Sequence, residues 1–177
     1  MDREILFRGK RLDNGEWVEG GYAEIPAPPV CIGEPGKPTV CIVAPDSRYL
    51  PDWGLPYRMA MYEVNPSTVG QYTGLTDKNG KKIFEGDIVR YNDQMDFDIH
   101  SVVKIGKYDQ DGSDGEYRAA ECVGVYFEVL DFTRPDWGKE WGVNPQECNN
   151  TVSPLDNDVI GTEVIGNIHD GKDGEEA

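Results

Sequence analysis

The stretch "TGLTDKNGKKIFEGDIVRY", Thr73 to Tyr91, decides how the rest of the chain is read. Asn79-Gly80 is the dipeptide that a tight hairpin turn demands, because both central residues of such a turn need positive φ. Ile83, Ile88 and Val89 are the inward candidates of the strand that follows. Gly86 interrupts their alternation and predicts a bulge. The same stretch holds Lys78, Lys81, Lys82 and Arg90, the basic concentration nearest a predicted turn. Two readings of these cations stay open. They form a binding site, or they blunt a strand edge against aggregation as edge lysines do.

Upstream, "EILFRGKRLDNGEWVEGGYAEI" repeats the same grammar. Ile5, Phe7 and Trp17 are apolar positions in a polar run, Asn14-Gly15 supplies the turn, and Gly20-Gly21 predicts a bulge or bend. "VEGGYA" follows the first Asn-Gly much as "FEGDIV" follows the second. Recurrent turn chemistry explains that likeness as well as an old duplication does, since Gly, Asn and Asp return to turns for steric reasons. Residues 26–62 are rich in proline, which lacks the N–H of a central strand, and predict edges and loops. "TVCIVA" is the one stretch there that reads as a buried strand. "DSRYLPDWGLPYRMAMYEV" admits a helical turn, with Tyr49, Trp53 and Tyr57 as loop anchors rather than a binding platform.

Downstream, "SVVKIGKY" and "ECVGVYFEVLDF" read as strands by β-branched and aromatic content. "DQDGSDGE" separates them, "TEVIGNIHD" reads as a last strand, and "GKDGEEA" as a solvated tail. With 21 Gly and 12 Pro among 177 residues, a β-rich fold of short strands is expected. The expected architecture is mainly β with little helix. Two hairpin units accompany a small SH3-like or other partly open β-barrel. The expected division is residues 1–66 for the N-terminal hairpin and Pro-rich region, 67–170 for the barrel-like domain and 171–177 for the acidic tail.

The net charge is −16, from 17 Lys+Arg and 33 Asp+Glu. It is uneven: 11 basic and 13 acidic residues precede Asn92, and 6 and 20 follow. Such a field repels nucleic-acid backbones. It suits solubility, or the engagement of a basic partner. No apolar run approaches the ~20 residues of a membrane span, and the first residues carry no apolar signal core. A cytoplasmic protein with reduced thiols and no membrane partner is expected. Cys31, Cys41, Cys122 and Cys148 lack zinc spacing. Asp109, Asp111 and Asp114 approach a calcium-loop pattern, but the sixth place is Asp114 where glycine is required. A hairpin loop is the better account, and a metal-assisted hydrolase on these acids is the weakest reading. His100 and His169 lack a nucleophile motif. The chain is expected to be no enzyme, with no metal and no cofactor.

Three segments together resemble the YopX-like proteins of phages and prophages: "EILFRGKRLDNGEWVEGGY", "VNPSTVGQYTGLTDKNGKKIFEGDIVRY" and "TEVIGNIHD". They cover about a third of the chain, leaving 26–62 and 92–158 as the variable parts. Similar proteins often run from "VIGNI" into an Asn-Pro segment; here "HDGKDGEEA" follows. The resemblance implies a mainly β fold and a viral or prophage origin, in the cytoplasm of a bacterial host. It implies no reaction and no catalytic residues. The expectation is an accessory protein of phage type that binds protein, itself included as a homo-oligomer. The alternatives are a nucleic-acid-binding β-barrel using Lys78, Lys81, Lys82 and Arg90, and an acidic protein that engages a basic host partner.

Overall fold

The computed structural model describes residues 4–29, 31–34, 36–46, 58–92, 98–110, 120–133, 151–152, 154 and 160–170. They form eleven strands: β1 Phe7–Lys10, β2 Trp17–Ile25, β3 Thr39–Pro45, β4 Met59–Glu63, β5 Gly70–Thr76, β6 Lys82–Phe84, β7 Asp87–Asn92, β8 Asp98–Gln110, β9 Ala120–Thr133, β10 Thr151–Val152 and β11 Ile160–Asn167. One 3-10 turn, Pro66–Thr68, is the helical content among the described residues. The strands make two antiparallel sheets, ordered β4-β3-β2-β1-β5-β6 and β10-β9-β8-β7-β11. Neither closes into a barrel, so the expected partly open barrel takes the form of an open sheet. The chain divides into two compact units, Met1–Tyr72 and Thr73–Ala177, and β5 carries the backbone from one to the other.

In the first unit the hairpin forms at the expected place, with Gly15 at φ 71° and Lys10 opposite Trp17. The Arg11 N–H donates to the Glu16 carbonyl (2.9 Å) and closes a four-residue loop, Leu12 to Gly15, in place of a tight two-residue turn. Ile5 lies outside the core, 68% exposed. The bend expected at Gly20-Gly21 is a change of partner. Up to Gly20, β2 pairs with β1; from Gly21 it pairs with β3. A Cβ on Gly20 would lie 2.1 Å from the Val43 carbonyl oxygen, so only glycine lets the two strands meet there. "TVCIVA" is the interior strand β3, with Cys41, Ile42 and Ala44 buried. The helical turn expected over 46–64 is corrected where the chain is described. Met59–Glu63 is strand β4, and its residues alternate between exposed and half-buried. Tyr49, Trp53 and Tyr57 lie outside the described residues. An isolated bridge, Arg11 to Val64, ties the end of β4 back toward β1 without closing the row.

The second unit builds its core from Ile83, Val89, Tyr91, Val103, Phe127 and Val164, with Leu75, Ile99 and Val125 against it. The Tyr91 and Phe127 rings meet at 5.5 Å, tilted by 35°. β7 keeps a strict two-residue period. Asp87, Val89 and Tyr91 face in, so Ile88, between the first two, is only half-buried. Gly86 is not a bulge. It stands at φ 82° in the turn that ends β6 and starts β7, and these two strands belong to different sheets. Gly20, inside a strand, and Gly86, in a left-handed turn, therefore have different conformations. The likeness of "VEGGYA" and "FEGDIV" is one of letters, not of structure. β8 and β9 form a long ladder from Asp98–Thr133 to Gln110–Ala120, as a hairpin through "DQDGSDGE" requires. Asp111, Asp114 and the tail 171–177 lie outside the described residues.

Candidate functional site

The turn after β5 is organised by one carboxylate. Asp77 Oδ1 accepts hydrogen bonds from the backbone N–H groups of Asn79 (2.8 Å) and Lys81 (2.9 Å). Its Oδ2 accepts from the N–H of Val164, 3.2 Å away on β11. Asn79-Gly80 makes the turn, with Gly80 at φ 81°. The Lys78 N–H donates to the Thr162 carbonyl at 2.8 Å, so the turn covers the outer edge of β11. Burial of Asp77 favours the neutral acid. The N–H groups of Lys81, Val164 and Asn79 outweigh it and hold the carboxyl below its ordinary range.

A second buried aspartate repeats the device. Asp87, 1% exposed, accepts from the Phe84 N–H (2.8 Å) and from the Asn167 side-chain amide (3.3 Å). Around it the Gly86 N–H donates to the Val103 carbonyl (2.8 Å), and the Ile168 N–H donates to the Gly86 carbonyl (3.0 Å). Sequence reading passed over both aspartates. The available signal was an Asp beside each Gly-bearing turn, where its short side chain can bond backbone two or more residues on.

The four cations named from the sequence are only partly brought together. Lys78 Nζ lies 2.7 Å and Arg90 Nη2 3.1 Å from the same Glu163 carboxylate oxygen. Arg90 Nε is also 3.9 Å from Asp98. The hydrogen bond from Lys78, its charge and that of Arg90 hold Glu163 below its ordinary range. Lys81 is exposed at the turn, and Lys82 is half-buried at the start of β6. In the first unit Arg8 and Lys10 are each 8% exposed. The Arg8 guanidinium and Lys10 Nζ lie 4.5 and 5.6 Å from the centre of the Trp17 ring. Arg11 stacks on Tyr62 at 4.5 Å and pairs with Asp13.

His100 is on β8 opposite Arg90, and His169 is in the turn after β11. No group of three His, Cys, Asp or Glu among the described residues is placed to hold a metal. One further surface stands out. On β4, at the end of its sheet, Met59 and Met61 are 55% and 54% exposed.

A family model described as "YopX protein" matches residues 52–172. The chain belongs to the YopX family. No curated protein and no solved structure matches it. The YopX match contains the middle and last motifs and runs through 92–158, which the motif resemblance left outside. It starts beyond the first hairpin. The two motifs inside it are bonded to each other: Asp77 to Val164, Lys78 to Thr162 and Glu163, Gly86 to Ile168, and Asp87 to Asn167. Within the span matched by the YopX family, the middle and last motifs thus fasten one edge strand, β11.

Proposed function

We propose that this YopX-family chain is a phage or prophage accessory protein that acts in the host cytoplasm by binding protein, not by catalysing a reaction. The supporting observation is the apolar sheet edge of β4, where Met59 and Met61 stand more than half exposed. Edge strands are commonly blunted by lysine, proline or a bulge. The residues Met59-Ala60-Met61 carry none of these, and adaptable methionine surfaces suit protein partners. The charge excess of −16 favours a basic partner, and it restricts pairing with a second copy to weakly charged surface such as that of the first unit.

Nucleic-acid binding by Lys78, Lys81, Lys82 and Arg90 is the lesser reading, because Lys78 and Arg90 already share Glu163. The test combines mass in solution with affinity capture from infected host cells, for the native chain and for Met59→Lys/Met61→Lys. Association or capture that the double substitution removes supports the reading. A native chain that is strictly monomeric and captures nothing overturns it.

A further inference from the structure

Antiparallel pairs alternate between bonded and non-bonded. The Asp46 N–H donates to the Arg58 carbonyl (2.8 Å), and the Val64 N–H donates to the Val40 carbonyl (3.0 Å). With the β3–β4 register, Arg58, Ala60, Tyr62 and Val64 therefore direct their backbone groups at β3. Met59, Met61 and Glu63 direct theirs outward. The Glu63 carbonyl is taken by the Leu12 N–H at 3.0 Å. The open backbone of this edge is thereby confined to a short window, Met59 to Met61. Among the described residues no strand pairs with it.

Resting on the binding-module reading, we propose that a second copy of this chain fills that window, β4 against β4 about a twofold axis at Ala60. In that register Met59 of each copy lies directly opposite Met61 of the other. Both are residues whose N–H and C=O point outward, so each pair forms two hydrogen bonds. Directly opposed residues share a face, and the four methionines make one apolar cluster. On the other face Ala60 meets Ala60 in the close, non-bonded spacing of about 4.5 Å, which a methyl group tolerates. Arg58 falls opposite Tyr62, a cation facing an aromatic ring. A register centred on Met61 would need the Glu63 carbonyl, which Leu12 already holds.

Charge agrees with the choice of unit. Met1–Tyr72 carries 7 Lys+Arg and 10 Asp+Glu, against 10 and 23 in the remainder. Contact through the first unit brings together the weakly charged parts of two strongly acidic chains. A twofold pair of one strand with itself is also the simplest closed assembly.

The experiment is sedimentation of the full chain over a concentration series, with cysteine trapping. The native chain is expected at twice the monomer mass. Met61→Pro removes an outward N–H without touching the bonds to β3, and twofold symmetry counts the loss twice. Dissociation should rise about 100-fold, roughly tenfold for each copy. Met61→Lys, which keeps the N–H, should weaken the dimer in the same direction should the proline variant unfold. With Cys31, Cys122 and Cys148 changed to Ser, Ala60→Cys should cross-link two chains on oxidation, because residues in this pair meet disulfide geometry. Met61→Cys should not. A dimer insensitive to both Met61 substitutions, or one trapped by Met61→Cys in place of Ala60→Cys, overturns the proposal. A monomer that captures a different protein through β4 overturns self-pairing and leaves the binding-module reading standing. A monomer that captures nothing removes both.

Discussion

Asp77 and Asp87 show how single side chains hold this fold. Each is a buried acceptor for backbone N–H groups or an amide far away in sequence. Removing such an acceptor leaves buried donors without a partner, which costs about 1–3 kcal/mol for each donor. Asp77→Ala is expected to lower stability by roughly 2–4 kcal/mol in urea unfolding, because the buried Val164 N–H loses its acceptor outright while those of Asn79 and Lys81, in part-buried bonds, recover part of the loss from water. Asp77→Asn separates charge from shape. The folded carboxyl titrates below its ordinary range, so it stabilises the native state above the unfolded value. That advantage is lost as pH falls from about 4, the ordinary carboxylate value, through the lower folded value. The stability gap between the native chain and Asp77→Asn should be widest near neutral pH and shrink below about pH 4. A gap constant from pH 7 to pH 2.5 would show that the charge on Asp77 is unimportant.

Among the elements, β2 and β7 mark the limits of reading strands from sequence. Asn14-Gly15 and Asn79-Gly80 announced their turns, because the positive φ found at Gly15 and Gly80 is written in the residue types. "TVCIVA" announced β3 by its apolar run. Gly20 was read as a bulge or bend and Gly86 as a bulge, since a glycine inside a strand pattern says that the backbone is special but not how. At Gly20 the cause is the approach of the Val43 carbonyl, and at Gly86 it is a turn between sheets. Both depend on strands distant in sequence. Gly20→Ala should therefore cost about 1–3 kcal/mol more than Gly21→Ala, whose Cβ would meet nothing within 4 Å. Equal unfolding midpoints for the two would contradict the partner change at Gly20. The basic hairpin was visible as composition. That Lys78 and Arg90 meet on Glu163 was not, because Glu163 arrives from β11, more than 70 residues beyond Arg90. The β4 edge was hidden by proline-rich surroundings that read as loop.

For the whole molecule, charge and division into units set the outward behaviour. With −16 overall, the chain should show no binding to duplex DNA or single-stranded RNA by fluorescence anisotropy at about 50 mM salt. Binding that falls steeply as salt is raised would revive the nucleic-acid reading and give Lys81 and Lys82 a role. The hydrophobic content is modest, so the second unit leans on its few large side chains. Phe127→Ala, at a site 1% exposed, should cost about 3–5 kcal/mol by thermal or urea unfolding. A loss below about 1 kcal/mol would mean that the ring does not fill the core as described.

The fastening of β11 also fixes an order of events during synthesis. The receptors for that strand, the carboxylates of Asp77 and Asp87, leave the ribosome 87 and 80 residues before their partners Val164 and Asn167. Until then Arg90 lacks the Glu163 partner, and the outer side of β7 is an unpaired strand edge. Closing a loop of that length is entropically costly, and a nascent chain with an open edge is exposed to wrong pairings. The second unit is therefore completed late, and a ribosome stalled before residue 160 would present a sheet with one side still available to whatever strand reaches it first.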